Sequence, residues 1–196
     1  MTYGTKFDTE MEEAIFGEVE PEEEKPRAFI ILGLEGAGTY MIQNALVEAG
    51  CGRNDRLDRE PPDYLALSQF DGDIVIRKSF PHAGHWPRWN DLFRRCELTK
   101  HEVFIIWVIR SSHAQIQSVL RRDPKRYVHH LHDYQANYYK ELSTIEDYSI
   151  DYEVITYSAF VHSEGFRRWL FEERLGLPYP EDFEVLTDRN SQYYQE

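Results

Sequence analysis

The chain is 196 residues long, with 41% hydrophobic and 29% charged residues and 13 Tyr, 11 Phe and 4 Trp, a composition that excludes disordered and fibrous proteins. Its length suffices for one full-sized domain burying roughly 70% of its unfolded surface. A net charge of −13 argues against broad binding to nucleic acid or to an anionic membrane, whose affinity comes from clustered Lys and Arg.

The charge is unevenly spread. Residues 1–25 hold nine acids against Lys6 and Lys25, so the rest of the chain is far closer to neutral and leaves room for a local basic pocket. The run Glu18 to Pro26 is acidic, punctuated by proline and poor in apolar residues, so residues 1–26 are expected to form a flexible acidic arm and 27–196 a single α/β domain. Met1 to Asp8 lacks a basic start followed by an apolar stretch, and a reducing, cytoplasmic setting is expected. The longest apolar runs, Phe29 to Leu32 and Val103 to Ile109, fall short of the ~20 residues that span a bilayer. Cys51 and Cys96 are too few and too isolated for a disulfide framework or a zinc site.

Arg27 to Gly33 is a continuous apolar run ending in glycine, the pattern of a strand buried on both faces of a parallel sheet. Gly38 to Ala49 carries Met41, Ala45, Leu46 and Ala49 at helical spacing, with Gly50 as the stop. Residues 51–72 read as a connection. Asp73 to Arg77 predicts a second strand, and Lys78 to Trp89, crowded with Pro, Gly, His and Trp, predicts a loop. Glu102 to Ile109 is the most hydrophobic strand, followed by a helix over Ser112 to Arg122 that Pro124 terminates. Tyr127 to Ile145 suggests a long aromatic helix, Tyr152 to Thr156 a fourth strand, and Gly165 to Leu175 a helix ended by Gly176. Strands alternating with helices imply a three-layer α/β/α domain with a mostly parallel central sheet, whose ligands bind at the carboxyl ends of the strands.

The chemistry therefore belongs to Gly33–Tyr40, Arg77–His85 and Arg110–Ser118. Gly33-Leu34-Glu35-Gly36-Ala37-Gly38-Thr39-Tyr40 follows the first strand and opens the first helix, where backbone N–H groups and the helix N-terminus favour an anion. The ATP-binding form of such a loop has Lys followed by Ser or Thr after its last glycine; here Thr39 and Tyr40 stand in those places. The third long strand leads into Arg110 rather than the Asp that helps hold magnesium in P-loop enzymes. The loop is thus expected to take a phosphate without a metal.

Gly33…Gly38-Thr39 with Arg110 and Ser118 resembles the sulfotransferases that use 3′-phosphoadenosine 5′-phosphosulfate (PAPS), a family on the P-loop kinase-like fold with Thr in place of the loop Lys. Glu153 to Val161 is similar to the family's "ryedLv" strand segment, and Phe171 to Pro178 to its "fLGLp" helix end. The resemblance covers about residues 27–180. It implies that Gly36, Ala37, Gly38, Thr39 and Tyr40 hold the 5′-phosphate side of the nucleotide and that Arg110 and Ser118, eight residues apart, grip its 3′-phosphate. PAPS would be the donor and 3′-phosphoadenosine 5′-phosphate (PAP) the product, with no metal.

Many members of that family place a cation two residues before the second loop glycine, the position of Gly36 here. Lys78 matches the Lys of the family's "K-T-H" segment and is assigned to the leaving oxygen; otherwise it is a solvated charge at a strand end. The family's base falls at Phe80, so His82, close by in the same loop, is assigned as the general base; the other reading of His82 and His85 is packing against Trp86 and Trp89. Glu35 is expected to face away from the anion, pairing with Arg189. His129, His130 and His132 lack the Cys, His or carboxylate partners of a metal site and read as a solvated helix face. The acceptor, a small molecule, saccharide or peptide bearing a hydroxyl or amine, is not legible, and neither is the oligomeric state. The alternative functions are a non-catalytic nucleotide-binding or partner-binding member of the fold and a P-loop small-molecule kinase.

Overall fold

The computed structural model describes residues 25–53, 71–80, 100–122 and 148–185, together with residues 93, 94, 96, 140, 143, 145 and 146. Five strands form one sheet in the order β2-β3-β1-β4-β5, and every pairing in it is parallel. They are β1 (Arg27–Leu34), β2 (Gly52–Arg53), β3 (Ile74–Phe80), β4 (Glu102–Ile109) and β5 (Asp151–Thr156). The apolar runs of β1 and β4 take the centre, where a strand is covered on both faces.

Period-two alternation divides the core. Phe29 and Ile31 of β1, Val75 of β3 and Ile106 and Val108 of β4 share one cluster with Ile42, Ala45 and Leu46 of the first helix. Ala28, Ile30, Leu32, Ile74, Ile76, Ile105 and Trp107 share the other with Phe93, Cys96 and Ile145. The sheet thus has packed residues on both faces, as a three-layer α/β/α arrangement requires.

The first helix, α1 (Thr39–Glu48), starts after Gly38 and ends where Gly50 takes a φ of 106°. α2 is Ser112–Arg122, α3 Tyr157–His162 and α4 Glu164–Arg168, with a π-helical turn over Trp169–Arg174. Among the described residues no helix is long and apolar enough to cross a membrane.

Three differences from the sequence reading matter for the site. β3 runs on to Phe80 instead of ending at Arg77, because Lys78, Ser79 and Phe80 stay in register with Leu32, Gly33 and Leu34. The fourth strand ends at Thr156 as its pattern predicts, but α3 follows at once where the sequence reading places no helix before Gly165: the Thr156 hydroxyl accepts from the Ala159 N–H at 3.2 Å, an N-cap that turns the chain into α3 at Tyr157. The two-residue β2 is too short to carry a periodic signal. The acidic arm, apart from Lys25 and Pro26, lies outside the described residues, as does most of the Tyr127–Ile145 segment.

Candidate anion site at the switch point of the sheet

Strand order places the site. The chain leaves β1 toward β2 on one side and leaves β4 toward β5 on the other, so the connections part between the carboxyl ends of these adjacent strands. Crevices at such points are where open α/β sheets bind ligands. Here that point falls where the loop Gly33–Gly38 meets Arg110.

The loop is drawn tight by the Ala37 N–H, which donates to the Leu34 carbonyl at 2.9 Å. Gly36 and Gly38 sit at φ of 83° and 96°, a region costly for any residue with a Cβ. Gly38 is the N-cap of α1, no side chain caps the helix and no acidic residue stands in its first turn. The first N–H groups of α1 therefore have no side-chain partner at the cap, and their partial positive charge is not offset by an acid in that turn.

Three elements converge on this loop. From the end of β4, the Arg110 guanidinium donates to the Gly36 carbonyl at 2.6 Å. From α2, Ser118 packs so close that a Cβ built on Gly36 would lie 3.2 Å from the Ser118 Cβ, 3.4 Å from its Oγ and 3.2 Å from the Gln115 carbonyl. From the start of α3, the buried Tyr157 ring lies against Gly38, where a Cβ would come within 2.2 Å of Cδ2. Arg110 stacks on that ring, 4.3 Å from its centroid. Gly36, Ala37, Gly38, Arg110 and Ser118 thus form one cluster around the loop.

Tyr157 is the neighbour that sequence reasoning missed. Its signal is position: it directly follows the strand that the sequence ends at Thr156, at the carboxyl end where ligands bind in such sheets.

The remaining candidates fall on a second side. Thr39 is 4% exposed, and its hydroxyl lies 3.1 Å from the Ser79 hydroxyl on β3. Arg77 donates from Nη1 to that Ser79 hydroxyl at 3.3 Å and from Nε to the Gln43 side-chain oxygen at 3.3 Å. Tyr40 is 53% exposed, and its ring is flanked by the guanidinium groups of Arg53 at 5.4 Å and Arg77 at 5.7 Å. Lys78, next to Arg77 in an unbroken strand, points to the opposite face, in register with Leu32. His82, His85, Arg189 and the 129–132 histidines lie outside the described residues. Among the described residues no group of three or more His, Cys, Asp or Glu is placed to hold a metal ion.

No family model and no curated protein matches the chain.

Proposed function

We propose that the chain is a PAPS-dependent sulfotransferase, transferring the donor's sulfuryl group to an acceptor hydroxyl or amine. The observation that carries the reading is the convergence of Arg110 and Ser118 on Gly36 at the crevice between β1 and β4. A loop with two positive-φ glycines presents its N–H groups to one phosphate. An adjacent guanidinium and hydroxyl suit a second one, which the resemblance implies is the 3′-phosphate of the donor. The loop's conformation also depends on its glycines: a Cβ at Gly36 would press on Ser118 and the Gln115 carbonyl, and one at Gly38 would overlap the Tyr157 ring.

The donor supplies an activated sulfuryl group, and transfer leaves negative charge on the oxygen that bridged it to the 5′-phosphate. The residues then divide the work. The loop N–H groups and Thr39 hold the 5′ side. Arg110 and Ser118 hold the 3′-phosphate, Arg110 exchanging a neutral carbonyl partner for a dianion. Lys78 is assigned to the leaving oxygen and His82 to the acceptor proton, which makes the rate a matter of positioning, charge stabilisation and general base catalysis. A cytoplasmic enzyme acting on a small-molecule, saccharide or peptide acceptor completes the reading.

A thermal-shift titration with PAP, set beside ATP with magnesium and beside Arg110→Ala, tests it. Ligand at 100 times its dissociation constant stabilises a fold by about 2.7 kcal/mol. Stabilisation by PAP alone, lost in Arg110→Ala, is expected. Stabilisation by ATP with magnesium instead would overturn the donor assignment in favour of an ATP site, and no shift with either removes the nucleotide reading.

A further inference from the structure

The loop has no cation of its own: its residues from Gly33 to Tyr40 include Glu35 and no Lys or Arg. A bare backbone cradle offers fixed dipoles to a phosphate but no full charge. We propose that Arg77, on β3, is the cation of this loop, meeting the oxygens of the 5′-phosphate or phosphosulfate from the Thr39 side. The inference rests on the donor reading above.

Three features of the chain support it. First, face: Val75 belongs to the core cluster that includes Ile42, Ala45 and Leu46 of α1, and two residues on along the same strand Arg77 shares that face. Ile74 and Ile76 belong to the opposite cluster, so Lys78 follows them there. Of the two adjacent cations, Arg77 is the one on the loop helix's side of the sheet.

Second, reach: Arg77 Nη1 bonds the Ser79 hydroxyl, and that hydroxyl lies 3.1 Å from Thr39 Oγ1, at the first residue of α1. The guanidinium is therefore two hydrogen bonds from the helix N-terminus on which the anion would sit.

Third, fixation: the fully buried Gln43 holds Arg77 Nε through its side-chain oxygen, and the Tyr40 ring lies alongside. These two bonds use two of the five N–H donors of a guanidinium. Orientation by a buried amide and an aromatic face reduces the side-chain freedom left to lose on binding. Gln43 and Tyr40 act here as positioning residues, which gives Tyr40 a different part from the direct ligand the loop alignment implies.

The test separates the two ends of the nucleotide. Calorimetry is run with PAP, adenosine 5′-phosphate and adenosine 3′-phosphate on wild type, Arg77→Ala, Arg77→Lys, Lys78→Ala and, as a matched loss of charge at a distant surface, Arg168→Ala. The melting temperature of each free variant reports that it is folded. Arg77→Ala is expected to weaken PAP and adenosine 5′-phosphate ten- to hundredfold, as loss of a charge-assisted hydrogen bond does, and to leave adenosine 3′-phosphate within about threefold. Arg77→Lys should recover part of the loss, and it carries the test if Arg77→Ala does not fold. A loss confined to Lys78→Ala, or an Arg77→Ala that binds all three ligands like wild type, overturns the assignment while leaving the donor reading in place. Wild type that binds none of the three overturns both.

Discussion

The guanidinium of Arg110 donates to the carbonyl of Gly36 at 2.6 Å across a sequence separation of 74 residues. That contact, with Ser118 and the Gln115 carbonyl on the other side of the same glycine, means the end of β4 and the body of α2 are packed on the loop. It also accounts for the glycine. A side chain at this position would leave the loop toward α2, and there is no space for one.

Replacing Gly36 by Lys is therefore expected to harm the protein without supplying the missing charge. The new residue must hold a φ of 83° and push on the Gln115 backbone and the Ser118 Cβ, each 3.2 Å from the new Cβ. A non-glycine residue held in such a conformation costs about 1–3 kcal/mol. Urea unfolding should show a loss of that size, and PAP titration should show weaker binding than wild type. Tighter binding in Gly36→Lys would show that the loop has room the packing denies.

Tyr157→Ala tests the other wall. The ring is buried against Gly38 and under Arg110, so its removal opens a cavity beneath both. Truncating a buried aromatic costs about 3–5 kcal/mol. PAP affinity should fall with stability, because Arg110 loses the face on which it lies. Tyr157→Phe keeps the ring and should keep at least most of the stability. If Tyr157→Ala binds PAP like wild type, Arg110 is oriented without the ring.

The order of these elements was legible where one physical signal dominates. β1 and β4 announce themselves as unbroken apolar runs because both faces are covered, and Gly50 marks the end of α1 because a positive φ favours glycine. β3 was legible only in its first half. Ile74, Val75 and Ile76 are apolar, whereas Arg77, Lys78 and Ser79 border the site and break the pattern while remaining paired to β1. Extending that strand decides which of two neighbouring cations faces α1. The end of β5 at Thr156 was legible, whereas α3 was not: its six residues are too few for a helical period to show, and a cap bond from Thr156 starts it. The stretches read short or missed are thus those whose local pattern is governed by contacts from elsewhere in the chain.

Arg27 is expected to matter for stability more than a charge at the start of a strand ordinarily would. Its backbone N–H donates to Asp73 Oδ1 at 2.7 Å and its Nη2 to Oδ2 at 2.6 Å, while Nη1 donates to the Leu175 carbonyl. It thus ties β1 to the start of β3 and to the chain beyond the π-helical turn. Side-chain exposures of 30% for Arg27 and 21% for Asp73 leave the pair partly screened. Arg27→Ala should cost about 1.5–3 kcal/mol in urea unfolding, the range for hydrogen bonds to charged groups. Arg27→Lys should recover little, because an ammonium lacks the fork that reaches both Asp73 and Leu175. Equal stability of Arg27→Ala and wild type would place the link among the contacts that contribute nothing net.

Asp73 also bears on the titration of the Cys51 thiol. Burial, and secondarily the negative charge of Asp73, push Cys51 up from 9.0 to about 12, against a smaller opposing effect of Arg27. A folded-state value above the unfolded one means the neutral thiol favours the native state. That contribution is complete below the ordinary thiol range and is lost as pH rises from about 9 toward 12. Wild type should therefore lose stability over this window more steeply than Cys51→Ala in matched urea titrations. Reactivity follows the same logic, because the thiolate is the nucleophile. At pH 8 iodoacetamide should label Cys51 of the native protein at least about a hundredfold more slowly than in urea, given that burial withholds both thiolate and access. Native labelling at the unfolded rate, located at Cys51 by mass spectrometry, would show that the thiol is open to solvent and would remove the basis for the pH effect.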